Sequence, residues 1–477
     1  MSNSHDHDHE QPTEAELWDL YPTLNGIERL RCVIDLSAFR RADGDMETCQ
    51  TLLALAEQFA RDEDFPRELG EILTDKGIVQ SDEADWEGAL KLFEEAEELL
   101  MQHGSDYQKA LLYQAQSHAY GHIDNWEDKI LYLQRAADAF ETCGEVASAG
   151  GCFDDLADLE WRLGRISHAY QSRRAARDRF CGNVPIWRMC SVEIDLSEDA
   201  IQSKQFDTAF FHAQEALNLA KSCSCDKCVP SAECALGQAY IYVGQVDKAI
   251  EFLSRACEAF RQMGAANLQA KSLMLLADAK KSTDPAGALE LLKQARSIYT
   301  ATDSSFGVSR SLLRMGLIHM QTENWEIAIS EFNDAIEFFN QRTFIVLRHQ
   351  CLENLARAYL NINQPVQALG CLEEILKDED VEIDDETRIE RGRLEVCARQ
   401  ANGQSSQAQT LSESLLAGIK PGSNPRAEAD LHLVLGTTLS ASDPKRANQE
   451  LMLAAVGFMQ LGQNARAQEL FESCVLE

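Results

Sequence analysis

The densest group of reactive side chains in this chain is a run of cysteines near its middle. Cys223, Cys225 and Cys228 lie within six residues of one another, and Cys234 follows six residues later. Four thiols this close could bind a structural zinc ion, because thiolate is the ligand that structural zinc prefers. Their overlapping spacing differs from the usual pair of CxxC-type knuckles separated by a longer loop. The cysteines are therefore expected to be ordinary reduced thiols, with a zinc site and redox or disulfide chemistry as the alternatives.

The N-terminus offers a second pattern, in which His5, His7 and His9 alternate with acidic residues. The segment has almost no apolar residues and cannot bury a core, so residues 1–14 are predicted to form a disordered acidic, histidine-rich tail. The other histidines are scattered, and no HExxH motif, Ser/His/Asp set or phosphate-binding loop can be assembled. The sequence thus predicts a protein that is not an enzyme and has no cofactor, apart from the zinc alternative.

Charge and hydropathy limit the classes of partner. The chain has 477 residues and a formal net charge of −34, which disfavours direct binding of nucleic acid because phosphate contacts need a basic footprint. The charge favours either a basic or mixed-charge protein partner or simply high solubility. No apolar run is long enough to span a membrane, and the polar N-terminus is not a secretory signal. We therefore expect a cytoplasmic protein without membrane insertion.

The elements that must position these side chains recur at a fixed period. One tryptophan-marked copy reads Asn125-Trp126-Glu127, and another reads Asn324-Trp325-Glu326. A fixed period of about 20–50 residues is the signature of a stacked-repeat solenoid. The equivalent positions are Asp45, Asp85, Asn125, Arg165, Gln205, Gln245, Asp284, Asn324, Gln364, Gln404 and Asp443, at steps of 40 with two steps of 39.

Each of these repeat positions is predicted to begin a helix, called helix B. Asp and Asn side chains accept hydrogen bonds from first-turn N–H groups, and proline follows at Pro285, Pro365 and Pro444, where its missing N–H costs nothing. Alanines recur four and eleven residues after the repeat position and share one helix face. They include Ala89, Ala169, Ala209, Ala249, Ala288, Ala328, Ala368, Ala408 and Ala447, then Ala56, Ala96, Ala136, Ala176, Ala216, Ala256, Ala295, Ala335 and Ala454.

A second helix, helix A, is predicted before each helix B. Small residues recur about eight positions before the repeat position and would form a notch in which helix B packs antiparallel on helix A. They are Gly77, Ser117, Ala157, Ser197, Gly237, Ala277, Gly316, Ala356 and Gly436. Helix B often ends near a glycine, as at Gly104, Gly144 and Gly264, which suits a left-handed C-cap.

This pattern resembles the tetratricopeptide repeat family in its longer form, with a period slightly above that of the standard repeat. Tyr120, Tyr240 and Tyr359 match the tyrosine that often follows the helix-A notch, whereas Lys129 and Ile375 depart from the alanine positions. The resemblance implies an all-α, right-handed superhelical α-solenoid over residues 15–477. It would contain about eleven antiparallel helix pairs and a C-terminal capping helix near residues 464–475.

The same resemblance implies a concave groove lined by helix A, which holds an extended peptide or a partner helix. We expect the groove to be acidic toward its N-terminal half and basic toward its C-terminal half, and so to bind a mixed-charge segment in one polarity. The alternative is that these charges pair with neighbouring repeats and only stabilise the stack. The residues concerned are Asp154, Asp155, Asp158, Asp195, Glu198, Arg310, Arg314, Asn354, Arg357 and Arg393.

Two charged segments are predicted to be ordinary solvated surface. The cluster Arg173, Arg174, Arg177 and Arg179 lies on a helix B and is predicted to be a solvated face paired with neighbouring acids. The acidic run 378–386 lies between two helix pairs and is predicted to be a solvated loop. Function is therefore expected to be that of a protein- or peptide-binding scaffold or adaptor. A ligand- or peptide-responsive regulator is the alternative, and the sequence leaves the oligomeric state open.

Overall fold

The architecture is a series of helix hairpins, seen in a computed structural model that describes residues 13–341, 344–378, 381–420, 422 and 424–475. This part of the chain is helical, with no strand. Its first helices are α1 Glu14–Leu20, a 3-10 turn Tyr21–Thr23, α2 Gly26–Ala42, α3 Met46–Asp62, α4 Pro66–Asp82, α5 Trp86–His103, α6 Asp106–His122, α7 Trp126–Cys143, α8 Val146–Arg162 and α9 Ile166–Phe180.

The remaining helices continue the same alternation to the C-terminus. They are α10 Ile186–Gln202, α11 Phe206–Ser222, α12 Cys228–Tyr242, α13 Val246–Gln262, α14 Ala266–Lys280, α15 Pro285–Ala301, α16 Ser305–Gln321, α17 Trp325–Gln341, α18 Ile345–Asn361, α19 Pro365–Ile375, α20 Asp385–Ala401, α21 Ser405–Gly418, α22 Pro425–Leu439, α23 Pro444–Gln460 and α24 Asn464–Val475. From α2 to α23 they form eleven A–B pairs, and α24 follows as the predicted last helix.

Every predicted repeat position is the residue that directly precedes a B helix. Asp85 accepts a hydrogen bond from the N–H of Gly88, and Asn125 accepts one from the N–H of Asp128. Asp45, Asp284 and Asp443 cap their helices in the same way. The sequence period therefore marks helix starts. At these five positions the side chain supplies an acceptor that the first-turn N–H groups lack, whereas the repeat positions occupied by glutamine form no such bond.

The small residues pack where the pattern places them. A Cβ atom added at Gly77 would lie 2.3 Å from Cε1 of Phe93, and one at Gly316 would lie 2.6 Å from Cε1 of Phe332. Both phenylalanines are fully buried, as are Ala89 and Ala96 on the same face as Phe93. Large B-helix side chains thus fill notches in the A helices.

The predicted glycine caps are only partly correct. Gly144 has φ 85° and ends α7 in the left-handed conformation, and Gly264 has φ 68° just after α13. Gly104 has φ −78° and ψ 154°, so the prediction of a left-handed cap is wrong there. The chain instead turns extended into Ser105, whose side chain caps α6.

The chain divides into two compact units. Unit 1 comprises residues 1–159 and 171–185, and unit 2 comprises residues 160–170 and 186–477. Of the predicted tail, residues 1–12 lie outside the described residues. Thr13 already caps α1, which joins the core of unit 1 through Leu17.

Unit 2 curves toward its A helices. Consecutive A helices touch along the series α10, α12, α14, α16, α18, α20 and α22, whereas no two consecutive B helices between α11 and α23 make comparable contact in the described chain. Elements on the inside of a bend are closer together than those on the outside, so the A helices line the concave side. We call the exposed surface of α10, α12, α14, α16 and α18 the inner face.

Candidate functional site

A cavity of about 280 Å³ opens among the first A helices of unit 2. Its walls are mostly apolar and come from α10, α12, α14, the end of α13 and the segment that precedes α12. They include Trp187, Cys190, Ile194, Cys225, Cys228, Cys234, Phe260, Leu268 and Lys271. Trp187 remains 51% exposed, so a large aromatic surface is open to a ligand at the rim. Clefts with apolar walls and a few polar groups are typical of ligand sites.

The cysteine run forms one wall of this cavity. The Sγ atoms of Cys223 and Cys228 are 3.6 Å apart, and the N–H of Cys225 donates to Cys223 Sγ over 3.3 Å. Cys190, on α10, packs in the same apolar cluster. Burial raises the pKa of Cys190 to about 11.

Cys234 does not join the other three cysteines of the run. Its Sγ atom lies 3.6 Å from Ser272 Oγ, on α14. Among the described residues no three or more His, Cys, Asp or Glu side chains are arranged to hold a metal ion. The predicted ligand set Cys223, Cys225, Cys228 and Cys234 is therefore not assembled, because helix α12 separates Cys234 from the loop.

We expect Cys225 to be the most reactive thiol of the cluster. Hydrogen bonds from the Cys228 thiol and the Lys227 N–H lower its pKa, whereas burial raises the pKa of Cys228. The thiolate is the reactive form, so limiting iodoacetamide at neutral pH should alkylate Cys225 several-fold faster than Cys228, as followed by peptide mass spectrometry. Faster labelling of Cys228 would contradict this order. Cys234 serves as the unreactive control, since burial raises its pKa.

Three basic side chains converge on the inner face. Lys271, on α14, pairs with Glu198, and Nε of Arg314, on α16, lies 2.8 Å from Oδ2 of Asp278. Burial alone would lower the pKa values of Lys271 and Arg314, but the attraction of their carboxylate partners outweighs it and leaves both raised. These two cations are therefore neutralised within the fold.

Arg310 is the third of these basic side chains, one helical turn before Arg314. Within the described chain it has no ion pair, and its buried Nε atom has no hydrogen-bond partner. Its guanidinium lies over the ring of Phe306, with 5.4 Å between Cζ and the ring centroid. Burial and the charge of Arg314 lower its pKa. A cation is therefore held on the inner face without a carboxylate of its own.

Other predicted groove residues are used inside the fold. Asp154 is buried and pairs with Arg173 at 2.8 Å, while Asp158 is exposed and pairs with the same arginine at 2.7 Å. The prediction that Asp154 faces a ligand is therefore wrong. Arg173 pairs with neighbouring acids, as predicted for the basic cluster on α9, but it is only 4% exposed, so the prediction of a solvated face is wrong at this residue. Asp155 is exposed.

Some basic residues of the predicted groove also form contacts within the fold. Arg393 is buried and binds Asp430 at 2.8 Å and Glu390 at 2.7 Å, so it is unavailable to a ligand. Asn354 is buried and accepts from Arg357, whose side chain remains 31% exposed. Asp195 is half-buried. The acidic residues of α8 lie in unit 1 and the basic residues in unit 2, so the charge polarity of one continuous groove stays a prediction.

A contact between distant parts of the chain lies within unit 2, and we call it the closing contact. The N–H of Glu382 donates to the carbonyl of Gly164 over 3.1 Å. The carboxylate of Glu382 accepts from the N–H of Ser167 at 2.7 Å and contacts His168 Nδ1 at 2.6 Å. Lys204 pairs with Asp384 at 2.8 Å. Segments that are many repeats apart in sequence therefore meet.

The prediction of a solvated acidic loop over residues 378–386 is wrong where the segment is described. Asp378 pairs with Arg348 and lies 2.7 Å from Nε2 of His349. Burial by itself would raise the pKa of Asp384, but Lys204 and Thr387 lower it to about 2. The acidic segment therefore takes part in tertiary structure, which its composition alone did not indicate.

Sequence reasoning missed Lys271, Asp278 and the cavity. The repeat register contains the missing signal. Lys271 precedes the repeat position Asp284, and Arg310 precedes the repeat position Asn324. The two distances in sequence differ only by the single residue that is missing from the shorter copy, so the two residues are equivalent. An alignment of the A helices would therefore have placed Lys271 beside Arg310. No comparable signal in the sequence indicates the cavity.

Comparison with known proteins supports the architecture. The family model of the soluble NSF attachment proteins matches residues 237–380, from within α12 to just after α19. No curated protein sequence matches. The structure is similar to apo RapI, with 12% identity, coverage of 73% of this chain and 97% of RapI, and a TM-score of 0.51.

A second similar structure is a signal transduction ATPase of the STAND class with a tetratricopeptide repeat sensor, from Pyrococcus horikoshii. The two chains share 12% identity, and the aligned region covers 92% of this chain and 74% of the ATPase chain, with a TM-score of 0.52. At such low identity these likenesses show the fold. No described helix is long and apolar enough to cross a membrane.

Proposed function

We propose that this chain, which belongs to the tetratricopeptide-repeat superfamily by its fold, is a binding scaffold or adaptor that holds a protein or peptide segment on the inner face of unit 2. The observation that carries the proposal is the inner face itself. A helices from five consecutive pairs lie side by side there, and they combine an apolar cavity with exposed and buried charges. Such a surface suits an extended ligand better than a single small substrate.

The composition of the inner face supports a partner of mixed charge. Lys271, Arg310 and Arg314 lie among Glu198 and Asp278. A ligand that places charges opposite these groups gains specificity and a preferred direction, because reversed placement brings like charges together. The apolar anchor would be a side chain that enters the cavity beside Trp187, since aromatic pockets provide most of the binding energy at such interfaces.

The closing contact favours the second candidate, a ligand-responsive regulator. It joins segments far apart in sequence through Glu382 and Lys204, side chains that are partly exposed. Exposed ion pairs are worth little individually, typically about 1 kcal/mol or less. A ligand on the inner face that favours an open form could therefore release this contact at a small energetic cost.

One experiment tests both candidates. Peptides would be selected from a randomised peptide display library on the full chain, and hydrogen exchange would be measured with and without a selected peptide. A scaffold should show protection of α12, α14, α16 and α18 with no change at the N–H of Glu382. A regulator should show faster exchange at Glu382, which donates to Gly164. Protection confined to B helices would contradict both.

A matched pair of variants locates the peptide. Arg357→Ala removes a partly exposed arginine of the inner face, and we expect about tenfold weaker peptide binding, equivalent to about 1.4 kcal/mol. Arg261→Ala removes an arginine of α13 that pairs, within the described part of the chain, only with Glu258 and whose side chain is 60% exposed. The affinity of the Arg261→Ala variant for the peptide should stay within about twofold of the wild-type value. Equal losses in the two variants, or none in either, would argue against the inner face.

Three further assignments belong to the same proposal. The protein is not an enzyme, because its surface and fold suit binding. Its partners are proteins or peptides rather than nucleic acid, given the net charge of −34. It works in the cytoplasm, which suits buried thiols within the helical core such as Cys152, Cys190 and Cys351.

A further inference from the structure

Arg310 stands out among the partly buried cations of unit 2. Lys271 and Arg314 each have a carboxylate within ion-pair distance, whereas Arg310 has none among the described residues. Its Nε atom is buried without a hydrogen-bond partner, and proteins normally pair such atoms. The guanidinium is therefore only partly compensated within the described chain, through the more distant charges of Glu198 and Asp278.

The local charge balance indicates what that compensation would be. Lys271, Arg310 and Arg314 supply three positive charges against Glu198 and Asp278, and Lys281 also lies 3.7 Å from Asp278, so the group is net positive. An anion is therefore the complementary ligand. The planar guanidinium binds carboxylates and phosphates alike with paired hydrogen bonds, but a carboxylate monoanion costs less to desolvate beside apolar walls than a phosphate dianion.

The cavity lies beside this charge. Lys271 lines the cavity, and the positive charge of Arg310 acts on the pKa of Lys271. The other walls of the cavity are mostly apolar and include Leu268, Phe260 and Ile194. A ligand that reaches from the cavity to Arg310 therefore needs an apolar body and an anionic end.

We infer that Arg310 and the adjoining cavity form a binding site for a carboxylate that carries an apolar group. The apolar group occupies the cavity among Trp187, Ile194 and Leu268, and the carboxylate lies between Lys271 and Arg310. A free medium-chain organic acid and the carboxylate of an apolar peptide both have this chemistry. The inference does not depend on the scaffold function, because a small acid would bind whether or not a protein segment also lies on the inner face.

The test measures thermal unfolding and isothermal calorimetry of the full chain with defined probes. Octanoate is the anionic probe, and octanol is its neutral match. Inorganic phosphate tests the anion alone, and a pool of acetylated pentapeptides with free carboxylates, compared with the same pool amidated, tests the peptide source. We expect octanoate or the carboxylate peptide pool to raise the unfolding midpoint, and the neutral matches to raise it much less.

Variants at Arg310 separate binding from folding. Arg310→Gln removes the unpaired charge, so the unliganded protein should be at least as stable as the wild type, while affinity for the active probe should fall tenfold or more. Arg310→Lys should keep part of the affinity, because it keeps the charge and loses the planar fork. Arg261→Gln, on the exposed face of α13, should change neither quantity.

The outcomes decide the inference. Binding of octanoate identifies a free acid as the source, and binding of the carboxylate peptide pool alone identifies a peptide; each supports the site if Arg310→Gln abolishes it. Equal effects of octanoate and octanol would mean an apolar cavity without an anion subsite. Stabilisation by phosphate alone, or by no probe, would overturn the inference. Loss of unliganded stability in Arg310→Gln, with unchanged affinity, would assign Arg310 a structural role instead.

Discussion

Replacing Arg173 by alanine is expected to destabilise unit 1 by about 3–5 kcal/mol. Arg173 is 4% exposed, and it pairs with Asp154, which is 7% exposed. Removal of one partner of a buried ion pair leaves the other charge poorly compensated. The resulting loss of unfolding free energy exceeds the net stabilisation that the intact pair provides. Urea unfolding followed by circular dichroism, together with hydrogen exchange in α8 and α9, measures the change.

Two controls distinguish this mechanism from general damage. The double variant Arg173→Met with Asp154→Leu replaces the pair by apolar groups and should recover most of the lost free energy of unfolding. Arg61→Ala removes an arginine whose side chain is 44% exposed and which pairs with Glu57 and Glu95. It should cost about 1 kcal/mol or less. If the double variant were as unstable as the single one, loss of the Arg173–Asp154 pair would not be the cause.

The second large effect is expected at Phe93, which fills the notch at Gly77. Phe93 has no exposed surface, and Phe93→Ala should cost about 3–5 kcal/mol through lost burial and the cavity left behind. The reciprocal change Gly77→Ala forces a Cβ atom to within 2.3 Å of the Phe93 ring. Overpacking of this kind costs about 1–3 kcal/mol.

Combining the two changes tests the notch directly. With Phe93 already replaced by alanine, Gly77→Ala should become neutral or stabilising, because the space is vacant and alanine favours helix by about 1 kcal/mol over glycine. Gly370→Ala, on α19 with no atom within 4 Å of the added Cβ, should stabilise in any background. Phe211→Ala, at a side chain that is 54% exposed, should cost little. Additive losses at Gly77 and Phe93 would contradict the notch model.

Much of the fold was predictable because the repeat is local chemistry copied many times. The acceptors at Asp45, Asp85 and Asn125 mark helix starts by hydrogen bonds that span three residues. The notch at Gly77 follows from a fixed helix-A to helix-B register, so one alignment predicts every copy. Gly104 was predicted wrongly because glycine permits a left-handed cap without requiring one.

The candidate site was less predictable because it depends on contacts between repeats. Asp154 and Arg310 look alike in the sequence, as charges on A helices. Only the packing shows that Asp154 is neutralised by Arg173 and that Arg310 has no partner among the described residues. Whether a charge is available depends on the side chain that happens to face it, and the repeat period carries no information about that.

The sequence by itself determined where the B helices begin, the eleven pairs, the last helix and the buried alanine face of helix B, since these follow from residues a few positions apart. The tertiary structure alone decided which charges face each other, how Cys190 joins the cysteine loop while Cys234 leaves it, and that Glu382 meets Gly164. The contact between Glu382 and Gly164 joins parts of the chain that are many repeats apart, whereas the cysteine contacts join neighbouring repeats. It depends on the accumulated geometry of the intervening repeats, to which each one adds a small rotation that its own residues do not reveal.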